Sequence, residues 1–564
     1  MFILCGPGPA EGLAIDDLIV VTDPVEHRTL SRTGTGAMVL LNDYCDSGEA
    51  GISGDMSLFR GLERALFDES LRSPAMKWAP LACLCVQLRM ARFLTLRRAV
   101  SNLLRRFTPP LVNLSSGNDI DLVNAAKSAC GRAGIDIVIG NGPAHAPSNF
   151  IFRMTPFAIP RTNQIPGFTK LAAFCWNLAN GPGEILTDAP EQMSWTRTAV
   201  APLRANLHIG FTGALTAKLR RPEPAQRMLA RDITFAANTQ TRLQSAVWPQ
   251  FLDPEALDYT ARILDYFFTA YPPGVLERTY ANLLAYLGTA NPSLVVLSHD
   301  KIDFFRLIFR ACHELGIESA YQPHGIVVEG YSGERQGTPF EPKWILPWTH
   351  ESAQSYRALG WHTVTTAYRP YRTGRAPYRP LAGPPSRWRV LCMLPDWICA
   401  TQEGREDCLL RDLLNVVDGL DQCGVVPSSI DFKYHRGPAA NGRTKVEALA
   451  RAEQALGRHL NVLAPETASR EIIGRYDLLI VPVTSGIYEA VLLGIPLVVF
   501  GMTLDRVGAL RDARLPYAFD ACQLTSVLSN YNNNQTAASY GLIAAELQKP
   551  DDVDAILPRI KAPP

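Results

Sequence analysis

The sequence predicts an α/β protein made of two parallel-sheet halves. Short β-rich apolar runs alternate with helix-period stretches, and a proline- and glycine-rich break interrupts the chain at residues 367–388. At 564 residues the chain is also too long for one hydrophobic core. Continuous apolar runs separated by crossover helices are what parallel strands buried on both faces require.

After the break, strands are predicted at 389–394, 429–435, 460–465, 476–483 and 495–501. Helices are predicted through "REDCLLRDLLNVVDGL", "RTKVEALARAEQALG" and "IYEAVLLG". Alternation of this regularity is Rossmann-like and makes 389–564 one domain. Before the break, "PPLVNLSS", a helix and "IDIVIGN" form one β–α–β unit, and residues 293–368 form a longer run of the same kind. Residues about 150–290 read as a helical insertion, and weaker strand patterns stand at "DDLIVVT" and "AMVLLND". The expected organisation is a Rossmann-like domain over 1–366, a linker over 367–388, and a second Rossmann-like domain facing it across a cleft.

Composition narrows the function. With 47% apolar and 19% charged residues the chain is ordinary globular protein, and its formal net charge of +1 gives no field that would gather nucleic acid. Twelve cysteines lack zinc-ligand spacing and read as reduced thiols. The start of the chain lacks a signal-peptide pattern, and no apolar run approaches the roughly 20 residues of a spanning helix, so a cytoplasmic location is expected.

The strongest chemical signal is "YDLLIVPVTSGIYEAVLLGIPLVVFG", in which a strand, the turn Thr484-Ser485-Gly486 and a helix follow without a gap. Free N–H groups at a helix start favour an anion, two hydroxyls add donors, and Gly486 leaves the backbone open to a ligand. The alternative is capping alone, by Thr484 and Ser485 with Glu489 as partner. "SIDFKYHRGP" puts His435, Arg436 and Gly437 at the carboxyl end of an earlier strand. Both turns are then expected at one crevice, as a cradle for a nucleotide phosphate.

Residues 389–525 resemble the donor domain of GT-B glycosyltransferases of bacterial capsule and surface-polysaccharide synthesis. Polysialyltransferases, bacterial sialyltransferases and β-Kdo transferases belong to that group. Its His-Pro and Ser-Ser motifs correspond to His435-Arg436 and Thr484-Ser485, and "YEAVLLGIPLVVF" matches the pattern that follows the second motif. Arg436 stands where that group has proline, and Thr484 replaces the first serine. The resemblance implies a CMP-linked acidic sugar such as Kdo as donor, and a surface glycan or lipid-linked glycan as acceptor. The two turns need no metal, because helix dipole and side-chain donors can stabilise the departing phosphate, and no cofactor is expected beyond the nucleotide-sugar substrate.

In the N-terminal half, "VVLSHDKIDFFR" and "AYQPHGIVVEG" place His299, Asp300, His324 and Glu329 after two strands. The second segment resembles the "QHG" block of capsule-type transferases. Acceptor activation needs a carboxylate or imidazole at the sugar hydroxyl. Asp300 and His324 are the leading candidates for the catalytic group, followed by His299 and Glu329. In a retaining reaction Asp300 or Glu329 would be the nucleophile. Asp43, Asp46, Glu49 and Asp119 are further loop carboxylates, and simple capping and loop shaping by Asp300 and His324 is the alternative.

"LCVQLRMARFLTLRRAVSNLLRR" reads either as a basic helix resting on an anionic membrane or, preferably, as a core helix with solvated arginines. Rival functions are a CDP-polyol phosphotransferase of the teichoic-acid type and a non-catalytic glycan-binding protein of the same fold.

Overall fold

The computed structural model describes residues 1–4, 18–22, 27–28, 31, 37–44, 49–114, 120–140, 185–187, 200–202, 243, 247–270, 273–300, 303–323, 335–366, 376–394, 408–434, 442–463, 472–501, 510 and 513–547. These residues form three sheets, and every strand pairing in them is parallel.

The first sheet holds β1 (Phe2–Leu4), β2 (Leu18–Val21), β3 (Ala37–Leu40), β4 (Leu111–Leu114) and β5 (Asp136–Ile139), in the order β3-β2-β1-β4-β5. Three long helices belong to this region: α1 (Glu49–Arg72), α2 (Cys83–Phe107) and α3 (Ile120–Ala133). The two weak strand patterns are β2 and β3. The strand missing from the sequence reading is β1, a run of only three residues beside Gly-Pro-Gly. It nevertheless pairs on both sides, with β2 and β4.

The second sheet holds β6 (Ile185–Thr187), β7 (Val200–Pro202), β8 (Leu294–Leu297), β9 (Glu318–Tyr321), β10 (Trp344–Ile345) and β11 (His362–Thr363). Its order is β11-β10-β9-β8-β6-β7. Helices α4 (Pro254–Ala270), α5 (Pro273–Ala290), α6 (Asp303–Leu315) and α7 (His350–Ala358) accompany it. The expectation for 1–366 therefore changes in two respects. These residues carry two sheets, and the stretch read as a helical insertion is helical over 254–270 and 273–290 but also supplies β6 and β7. Strands of three residues are too short to show a period against their surroundings. One continuous core joins both sheets through α1, α2, α4, α5 and α6, with Trp78, Phe93, Tyr259 and Phe309 among its fully buried side chains.

The third sheet holds β12 (Val390–Leu394), β13 (Ile430–Tyr434), β14 (Asn461–Val462), β15 (Leu478–Val481), β16 (Leu497–Phe500) and β17 (Tyr517–Ala518). Its helices are α8 (Cys408–Gln422), α9 (Gly442–Leu456), α10 (Gly486–Leu493), α11 (Ala521–Ser529) and α12 (Asn533–Leu547). Numbered from its own first strand, the order β14-β13-β12-β15-β16-β17 reads 3-2-1-4-5-6, the doubly wound Rossmann arrangement. All four residues of β15 and of β16 are buried, which explains their unbroken apolar runs.

Residues 376–388, the second part of the proline-rich stretch, are fastened to this third unit. Ala376 N–H donates to the Leu492 carbonyl and Arg379 N–H to that of Gly494, both at 2.8 Å. Gly494 ends α10 with φ +68°, and a Cβ there would lie 2.2 Å from the Pro377 carbonyl oxygen. Glycine is required at that point for both reasons.

The arginine-rich helix α2 is a core element, but its arginines are not simply solvated. Arg89 and Arg92 are buried and reach Asp121 at 3.2 and 3.4 Å. Arg97 forks onto Asp253 at 3.1 and 2.8 Å. A charge drawn inside must be paired, and α3 and the start of α4 supply the carboxylates. Arg105 and Arg106, in the last turn, remain exposed. Among the described residues no helix is long and apolar enough to cross a membrane.

Asp253 ties three helices together, because it also meets Arg132 at 3.0 Å and accepts the Ala256 N–H at 3.0 Å. Burial would raise its pKa, but the Arg97 fork, the Ala256 N–H and Arg132 outweigh that and hold it at about 2. A carboxyl held below its ordinary 3.8 stabilises the fold fully above that pH and loses this contribution as pH falls toward about 2. Asp253→Asn, which keeps the cap and removes the charge, is expected to lower urea-unfolding stability at neutral pH. The gap to the parent should narrow across that acid window, and a pH-independent gap would contradict the assignment.

Candidate functional site

A parallel sheet gathers the carboxyl ends of its strands on one edge, and a crevice opens where the strand order reverses. In the third sheet that reversal falls between β12 and β15. The Thr484-Ser485-Gly486 turn leaves β15 and enters α10 there.

The local bonding separates the two hydroxyls. Thr484 Oγ1 accepts the Gly486 N–H at 3.3 Å, and the Thr484 carbonyl accepts the Ile487 N–H at 3.0 Å. Ser485 is the residue flanking the helix, in a right-handed helical conformation, and its hydroxyl caps nothing. Capping thus accounts for Thr484 and leaves Ser485 unexplained by the fold. Glu489 lies in the first turn, half-buried, with its N–H on the Ser485 carbonyl at 3.2 Å. A Cβ on Gly486 would come within 3.0 Å of Met393 Sδ and 3.2 Å of Thr484 Oγ1. Packing against β12 therefore suffices to explain this glycine.

His435, Arg436 and Gly437 lie outside the described residues, immediately after β13. Because β12 alone separates β13 from β15, the two strand ends are about 10 Å apart on one edge. Further along, Gly501 follows β16, and a Cβ there would meet Asp412 Oδ2 at 3.0 Å. The first turn of α8 therefore reaches the same edge, with Arg411 held 3.2 Å from Asp412.

Across from α8 stands the first sheet. His27, Arg28 and Ser31 of the β2–β3 connection and Leu40 at the carboxyl end of β3 line a cavity of about 510 Å³ with Arg411, Leu414, Asn415 and Asp418 of α8. Arg28 closes one side with a bidentate pair to Asp418 at 2.8 and 3.0 Å, linking residues 390 positions apart. The sequence reading missed this group. The available signal was that His27 and Arg28 follow the apolar run of β2, the same strand-end rule that picked out His435.

The second sheet also points its carboxyl edge toward the third unit. Trp348, three residues past β10, is buried in the hydrophobic cluster that contains Leu391 and Tyr488. The Glu351 N–H donates to Glu546 Oε1 at 3.1 Å. Burial, followed by the charges of Glu351 and Glu546, pushes the Tyr488 phenol well above its ordinary range.

His299 and Asp300 follow β8. His299 is half-buried and stacked on Phe305 at 5.9 Å. Asp300 is only 4% exposed, and its carbonyl accepts from Arg306 Nε at 3.3 Å. Arg306 also donates to the Pro80 carbonyl at 3.0 Å and pairs with buried Glu63. Burial alone would lower the Arg306 pKa, but the charges of Cys83, Glu63 and Asp300 outweigh it and raise the value. Asp300 thus belongs to an internal charge network. His324 and Glu329 lie outside the described residues, as do Asp46 and Asp119, and the side chains of Asp43 and Glu49 are likewise not described.

No protein-family model matches the chain, and no curated protein does. Solved structures do. Spinosyn rhamnosyltransferase complexed with thymidine diphosphate is 13% identical over 67% of this chain and 100% of its own, with a TM-score of 0.35. A putative UDP-N-acetylglucosamine 2-epimerase from Listeria monocytogenes is 14% identical over 50% of this chain and 80% of its own, with a TM-score of 0.33. The Methanocaldococcus jannaschii UDP-GlcNAc 2-epimerase, in complex with UDP-GlcNAc and UDP, is 12% identical over 63% and 96%, with a TM-score of 0.35. At these scores no residue correspondence passes to this chain. The fold by itself defines an α/β protein with a doubly wound C-terminal unit and a cavity between α8 and the first sheet.

The hydrogen bonds at the turn yield a direct check. Thr484→Val removes the acceptor of the Gly486 N–H and is expected to cost about 0.5–1.5 kcal/mol of stability. Ser485→Ala should stay within about 0.5 kcal/mol of the parent. Equal losses by urea unfolding would return Ser485 to a capping role.

Proposed function

We propose that this protein is a metal-independent GT-B glycosyltransferase that moves a sugar from a nucleotide donor to a glycan acceptor. The observation that supports this most directly is the Ser485 hydroxyl. It stands at the switch point of a 3-2-1-4-5-6 sheet, beside the start of α10, and the helix makes no use of it. In this reading Ser485, the α10 N–H groups, and His435 with Arg436 and Gly437 hold the donor phosphate. Helix dipole and side-chain donors offset the charge that grows on the departing phosphate.

The donor we favour is a CMP-linked acidic sugar, Kdo or another ulosonic acid, on the strength of the His435 and Thr484-Ser485 motifs. The acceptor would be a bacterial surface glycan, free or lipid-linked, lying toward the first two sheets. Acceptor activation is assigned to His299 with His324. They follow the neighbouring strands β8 and β9, whose spacing is about 5 Å. Buried Asp300 then positions its strand end through Arg306, and Glu329 is the further acidic candidate.

Calorimetry with CMP, CDP, UDP and GDP tests the reading. Selective binding of CMP is expected, weakened roughly tenfold by Ser485→Ala with the fold intact. Selectivity for CDP or UDP would keep the site and replace the donor. Binding of none of the four would overturn the proposal.

A further inference from the structure

The second sheet has a cavity of its own, on the edge opposite its candidate chemistry. It measures about 260 Å³ and is walled by the end of α6, the start of β9 and the segment leading into β10. All three are at the amino ends of the strands, whereas His299 and Trp348 follow their carboxyl ends. It is therefore separate from the site described above.

Its lining carries several charged and polar side chains, and most of the charges have identifiable work. Lys343 pairs with Glu318, whose other oxygen accepts the Trp344 Nε1–H at 2.8 Å. Glu341 is buried, and its two oxygens accept the N–H groups of Gln336 and Thr338 at 3.2 and 3.0 Å. Ser319 Oγ accepts the Lys343 N–H at 3.2 Å.

Arg335 is the exception. Its backbone N–H is fixed on the Leu359 carbonyl at 2.9 Å, and its side chain is half-buried. Yet its guanidinium makes no hydrogen bond or ion pair among the described residues. A second cation, Lys343, shares the cavity with it. The surroundings register this positive field: burial first, then the charges of Arg335 and Lys343, lower the pKa of His362. Glu318 and Glu341 share the wall but are engaged elsewhere, so the planar five-donor fork of Arg335 suits an oxyanion from outside.

We propose that this cavity binds the oxyanion of one small sugar-sized ligand, a carboxylate or a phosphate, with Arg335 as its principal contact and Lys343 beside it. At about 260 Å³ the cavity falls below the roughly 300–1,000 Å³ of pockets that enclose drug-sized ligands and suits a single sugar residue. The proposal stands on this cavity alone and is independent of the transferase reading.

Titration by calorimetry of the full-length protein tests it, using inorganic phosphate, glucuronate and uncharged glucose, each in the presence of saturating CMP to fill any nucleotide site. Binding of glucuronate or phosphate but not glucose is expected, and Arg335→Gln should weaken it roughly tenfold while circular dichroism stays unchanged. Preference for glucuronate identifies an acidic glycan residue as the ligand, and preference for phosphate identifies a phosphorylated one. No binding of either anion, or binding equal in Arg335→Gln, would overturn the proposal. Should Arg335→Gln fail to fold, Lys343→Gln provides the same comparison.

Discussion

The polarity of a parallel sheet governs this molecule. When every strand runs the same way, every crossover must return over a face, and all carboxyl ends collect on one edge. Helix starts, with their free N–H groups, collect there too. In the third sheet this brings together the Thr484–Gly486 turn, the strand end before His435, Gly501, and Arg411 of α8, although they are far apart in sequence. The same rule brings His27 and Arg28 to the carboxyl edge of the first sheet, where they meet α8 across a cavity.

Much of the third unit was legible because its strands are buried on both faces. The runs that become β12, β13, β15 and β16 stand out as apolar, and their helices have clear periods. The switch-point turn was equally legible, since Val483 to Gly486 changes from strand to helix pattern without a loop. What could not be read is structure that leaves little periodic trace. β1, β6 and β7 span three residues each, and β17 two, so their existence depends on partners distant in sequence. The division of 1–366 into two sheets was hidden for the same reason.

The charged residues show a different limit. Sequence pattern alone puts Arg89, Arg92 and Arg97 on a stripe that could face water, lipid or protein. Only the fold shows that Asp121 and Asp253 come within reach, and that pairing is what lets a cationic helix enter the core. Asp300 illustrates the converse: its position after β8 suggests chemistry, while only the fold shows that it is buried beside Arg306, which donates to its backbone carbonyl. Ser485 could not be told from Thr484 by sequence, because the distinction lies in which hydroxyl the Gly486 N–H selects.

The central claim is that the edge between β12 and β15 receives the phosphate of a nucleotide. A crystal structure of the protein with bound CMP tests it most directly. The account predicts the phosphate against the Ser485 hydroxyl and the first N–H groups of α10, with the nucleoside extending along the β12–β15 edge. A nucleotide seated elsewhere, with Ser485 facing only solvent, would contradict it.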